Sequence, residues 1–89
     1  MSKYMVGEMM FINKSSDGKN NICGEKIAFL RKALNCSQRA LADKLQLLGL
    51  EIDKNAIQRI ESGQRFVTDI ELVYFSKVFK KSIDELLNI

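Results

Sequence analysis

The sequence predicts an all-α domain of five short helices. Three observations carry that expectation. Apolar residues recur at helical spacing from Ile22 onward, cap-forming residues (Ser37, Asp53, Thr68, Ser82) punctuate the pattern, and neither proline nor strand-like alternation interrupts it.

The first helix is expected from about Cys23 to Leu34, with Ile27, Leu30 and Leu34 on its buried face. Ser37 caps the second, from Gln38 to about Leu48, whose stripe is Leu41, Ala42, Leu45 and Leu48, and Gly49 stops it. Asp53 caps a third, short helix from Lys54 to Ser62, stopped by Gly63 and anchored by Ile57 and Ile60. The fourth opens at the capping box Thr68-Asp-Ile-Glu71 and carries Leu72, Phe75, Val78 and Phe79. Ser82-Ile-Asp-Glu85 opens the fifth, which holds Ile83, Leu86 and Leu87. Phe75 and Phe79 read as core, and Leu50 and Ile52 as cover for the connection between helices two and three.

With 89 residues there is room for one core. Residues 1–21 read as a flexible N-terminal arm and 22–89 as the folded domain. The arm begins with the apolar-flecked YMVGEMMFI and continues into the polar NKSSDGKNN, composed like a loop or linker. Met5, Met9, Met10, Phe11 and Ile12 could form a dimerisation patch, an added strand or a disordered leader, and Lys14 and Lys19 a basic grasping arm. No apolar run approaches 18 residues and no secretory pattern opens the chain, so a cytoplasmic protein without membrane contact is expected.

Histidine is absent, which removes the commonest general base and metal ligand. Asp84 and Glu85 start a helix and do not form an acid–base pair, and no phosphate loop appears, so no enzyme, metal or cofactor is expected. Cys23 and Cys36 would sit roughly 20 Å apart along a helix, beyond disulfide reach, and read as reduced thiols.

The net charge of +3 favours anionic partners only gently, so the placement of the charges must decide. The third helix has a narrow apolar edge, leaving Lys54, Asn55, Gln58 and Arg59 outward. Asn and Gln suit adenine edges; Arg and Lys suit guanine. Gln38 opens the second helix, where backbone N–H groups favour anions. Arg39 is a further candidate for the backbone of DNA, and Gln64 and Arg65 follow the third helix where a loop could grip phosphate. Lys32 and Lys44 read as solvated charges.

The segments IAFLRKALNCSQRALADKL, DKNAIQRIESGQR and LVYFSKVFKKSIDELL resemble the phage-repressor (Cro-type) helix-turn-helix family. The residues that carry the likeness are Arg31, Ser37, Gln38, Leu41, Ala42 and Leu45, then Ile57, Ile60, Glu61, Gly63 and Arg65, then Ser82, Asp84, Glu85, Leu86 and Leu87. The resemblance implies a lambda-repressor-like DNA-binding domain with its helix-turn-helix at helices two and three. By that likeness Gln38 contacts phosphate, Lys54, Asn55 and Arg59 read bases, Gln58 is peripheral, and Arg31 pairs with Glu61 to hold the reading helix on the scaffold. Two departures stand out. Six residues, QLLGLE, separate Leu45 from Ile52 where the family has about one, making the turn a real loop. Lys81 stands where an apolar residue is usual.

The expected function is sequence-specific binding of double-stranded DNA by a transcriptional regulator, read as a repressor. Tight binding to a palindromic operator calls for a homodimer, through helices four and five or the arm. No small-molecule effector is evident. The alternative is a protein-binding module on the same scaffold, such as an antitoxin or accessory regulatory factor.

Overall fold

The computed structural model describes residues 14–87, which form five helices and no strand. They are α1 (Gly24–Ala33), α2 (Gln38–Leu48), α3 (Lys54–Glu61), α4 (Asp69–Phe79) and α5 (Ile83–Leu87). Local chemistry sets the boundaries. Ser37 Oγ accepts from the Ala40 N–H at 3.0 Å, and Asp53 Oδ1 from the Ala56 N–H at 2.8 Å. At α4 the box is reciprocal: the Glu71 N–H donates to Thr68 Oγ1 while the Thr68 N–H donates to Glu71 Oε1. Ser82 and Glu85 repeat that exchange at α5.

The apolar stripes meet in one core. Ile27, Leu41, Leu45, Ile57, Ile60, Phe75 and Leu86 are fully buried, and the Phe75 and Phe79 rings lie nearly parallel with centroids 6.3 Å apart. Cys23 joins them, and burial pushes its thiol up to about 11, so at neutral pH it is protonated. Both cysteines are free thiols.

Three expectations need correction. Leu34 is exposed, because α1 ends at Ala33 and the chain turns away through Asn35 at φ +54°. Leu48 is half-exposed at the last position of α2, where the helix has run past the core. Finally, the stretch from Lys14 to Asn21 is no loose linker. A turn closed by the Ser15 N–H to the Lys19 carbonyl (2.7 Å) lays it on the end of α3, where the Asn20 N–H donates to the Gly63 carbonyl at 2.8 Å. The polar side chains that made it look like a linker are the ones that bond it down. The apolar leader Met5, Met9, Met10, Phe11 and Ile12 lies outside the described residues. No described helix is long and apolar enough to cross a membrane.

Candidate nucleic-acid interface

The interface is built on α2 and α3 and on the chain that joins them. Gly49 adopts φ +110° and ends α2, its N–H bonding the Gln46 carbonyl while the Leu50 N–H reaches back to Leu45. A β-carbon at Gly49 would meet nothing closer than 3.5 Å, so glycine is needed there for its backbone angle. The long connection is held from within: Gln46 Nε2 donates to the Ile52 carbonyl at 2.7 Å, and the Ile52 side chain is buried. The extra residues therefore form a fastened loop.

Beyond it, α3 turns Ile57 and Ile60 into the core and leaves Lys54, Asn55, Gln58 and Arg59 exposed. None of these four side chains bonds to another described residue.

Behind α3 lies a clamp. Arg31 Nε donates to Glu61 Oε2 at 2.6 Å and Nη2 to Oε1 at 3.0 Å, a bidentate pair with both side chains largely buried. Arg31 Nη1 also donates to the Cys36 carbonyl, which ties α1 to the approach of α2. The carboxylate raises the Arg31 pKa above its ordinary value, chiefly through those hydrogen bonds. Gln38 Nε2 donates to the same Glu61 Oε1 at 3.0 Å, so α1, α2 and α3 converge on one carboxylate.

A family model described as helix-turn-helix matches residues 27–86. The chain belongs to the Cro-type helix-turn-helix family. No curated protein and no solved structure matches it. The family is one of DNA-binding regulatory domains, and α2 and α3 are its helix-turn-helix pair here.

Within that pair the phosphate candidates separate. Arg39 and Gln64 are exposed. Arg39, Lys54 and Asn55 line a groove between the two helices that also holds Asp43 and Asp53, so its cationic character is local. Gln38 spends one amide hydrogen on Glu61, and its second has no partner among the described residues.

Arg65 has a different role from a free phosphate grip. Its guanidinium donates to both Glu71 oxygens at 2.9 Å and to the Phe66 carbonyl at 3.0 Å, bracketing the loop after α3 onto α4. The capping box marks Glu71 as a helix-start residue, and its second carboxylate oxygen finds a partner only through the packing of α4 against the loop. Asn20, Asn21 and Gln46 were also missed as anchoring residues, since composition assigns such residues to loops and surfaces without showing what they bond. Among the described residues no metal-ligating cluster is found.

The bracket has a pH signature. Burial alone would raise the Glu71 pKa, but the Arg65 guanidinium and the Thr68 N–H outweigh it and hold the carboxyl below its ordinary value of 4.5. A depressed folded-state pKa contributes stability that is complete above the unfolded value and is lost as the pH falls through the folded one. Melting temperatures of the wild type and Glu71→Gln, followed from pH 7 to pH 3, are therefore expected to converge on acidification. A constant gap between them would remove Glu71 as the source.

Proposed function

We propose that the chain is a sequence-specific double-stranded DNA-binding transcriptional regulator, acting as a repressor, that inserts α3 into the major groove. The observation that carries this reading is the asymmetry of α3. Ile57, Ile60 and Glu61 are locked inward, while Lys54, Asn55, Gln58 and Arg59 stand outward with no side-chain partner among the described residues. Long hydrogen-bonding side chains on a rigidly backed helix can read base edges, because the scaffold sets their register and the side chains are free to pair.

In this reading Lys54, Asn55 and Arg59 contact bases, with Gln58 at the margin. Gln38, through its second amide hydrogen and the open N–H groups of the first turn of α2, contacts phosphate, flanked by Arg39 and Gln64. A single domain spans few base pairs, so the acting form is a homodimer presenting two α3 helices about one DNA turn apart on a palindromic operator.

Selection from random duplexes with the purified protein is expected to enrich one palindrome. The double variant Lys54→Ala/Arg59→Ala is expected to bind it roughly 30-fold more weakly, about 1 kcal/mol or more for each lost contact, with a shallower salt dependence. Failure of the wild type to bind any duplex at low salt sinks the proposal.

A further inference from the structure

The segment before α1 makes more contact with the end of α3 than a linker needs. Ser15 and Asp17 bond side chain to side chain, the Lys19 N–H donates to Asp17 Oδ1, and Gly18 turns the chain at φ +84°. The turn places the Lys19 stem over Gly63 so closely that a β-carbon there would sit 2.7 Å from Lys19 Cγ and Cδ. The Lys19 ammonium meets Glu25 of α1 at 2.6 Å.

Two asparagines then bond carbonyls at and just beyond the end of α3. Asn20 Nδ2 donates to the Gln64 carbonyl at 2.9 Å. Asn21 Nδ2 donates to the Ile60 carbonyl at 3.0 Å and the Arg65 carbonyl at 2.8 Å, while its Oδ1 accepts from the Gly24 N–H at 2.8 Å. One amide thus satisfies the last turn of α3, the loop beyond it and the first turn of α1. The Ile60 carbonyl already accepts from the Gly63 N–H, as carbonyls at a helix end often do from the turn that follows, and Asn21 adds a second donor from a segment some forty residues earlier in the chain.

We infer that residues 15–21 form a strap that sets the tilt of α3, with Asn21 as the positioning residue for sequence reading. This rests on the DNA-reading role of α3 and deepens it. The clamp at Glu61 holds the inner face of the helix, and the Arg65–Glu71 bracket holds the loop that follows. The strap supplies a third restraint at the helix end. All three act at the C-terminal end of α3, between Ile60 and Arg65, and fix that end against α1, α2 and α4; hydrogen bonds to bases depend on orientation far more than contacts to phosphate do.

The test compares specific with non-specific binding in the full chain. Asn21→Asp keeps the oxygen that accepts from Gly24 but turns a carboxylate toward the Ile60 and Arg65 carbonyls. Its affinity for the selected duplex is expected to fall about tenfold, the worth of two lost hydrogen bonds, while affinity for a scrambled duplex changes little. Amide exchange at Gly63, Gln64 and Arg65 is expected to accelerate. Asn20→Ala, which removes the bond to the Gln64 carbonyl together with an exposed one accepted from Lys14 and leaves α1 untouched, serves if the aspartate variant does not fold. It is expected to lower the specific-to-non-specific ratio about threefold. Ser82→Ala loses a cap at α5, far from the strap in the chain, and is expected to lower thermal stability with the ratio unchanged.

An unchanged ratio in the strap variants, or an equal change in Ser82→Ala, overturns the positioning role and leaves DNA reading intact. Failure of the wild type to bind any duplex overturns both, and the wild type alone reveals it.

Discussion

Glu61→Gln is expected to lower the unfolding free energy by about 3 kcal/mol or more, read as a drop in urea midpoint with unchanged slope. The carboxylate accepts three hydrogen bonds, two from Arg31 and one from Gln38, and both ion-pair side chains are largely withdrawn from water. Glutamine preserves the shape but replaces one acceptor oxygen by a donor group. That group faces donors, and Arg31 keeps its charge in a poorly hydrated site with no counter-ion. The loss comes from stranding the arginine, because a buried pair returns little net energy once its desolvation is counted. Arg31→Met/Glu61→Leu is accordingly expected to recover much of the stability. If the double variant is as unstable as the single one, the uncompensated-charge account is wrong. DNA affinity at saturating folded protein separates this effect from recognition, since Glu61 faces away from the exposed edge of α3.

Gly24→Ala is the second large effect, and its sign runs against helix propensity. At the first residue of a helix, alanine would ordinarily stabilise by roughly 0.5–1 kcal/mol through reduced chain entropy. At Gly24 a β-carbon would lie 2.2 Å from the Ile60 carbonyl oxygen and 2.8 Å from Asn21 Oδ1. The first contact is with backbone at the end of α3, which cannot rotate aside. Overpacking of this kind costs about 1–3 kcal/mol, so steric conflict outweighs propensity. A net loss near 2 kcal/mol is expected, a melting temperature lower by about 8–16 °C for a domain of this size. A rise in melting temperature would show that α1 does not approach α3 this closely. Because the same substitution disturbs Asn21, a loosened α3 end should accompany the loss.

Much of the fold was legible because its signals are local. Ser37, Asp53, Thr68 and Ser82 announce helix starts through side-chain oxygens that reach only three residues along the chain. Gly49 and Gly63 announce stops through a positive φ that most side chains resist. The 3.6-residue spacing of Leu41, Leu45, Ile57, Ile60 and Phe75 then says which faces must meet. Leu34 and Leu48 misled for the same reason: periodicity gives the direction of a side chain, while burial depends on whether another element reaches that far.

The outward set on α3 could be picked out from residue type and helical spacing alone, and all four residues are exposed. Arg65 could not be assigned that way. An arginine after a helix can hold phosphate or a carboxylate equally well, and only the approach of α4 brings Glu71 within 2.9 Å.

The sequence by itself determined five helices, their order, most of their buried faces and the polar residues left exposed on α3, since each follows from interactions within one or two helical turns. Tertiary structure alone decided how α3 is held. The convergence on Glu61, the Arg65 bracket, the close approach at Gly24 and the strap through Asn21 join groups between 6 and 44 positions apart. Hydrogen-bonding side chains become specific only when folding brings one donor to one acceptor, and that pairing is a property of the packed chain.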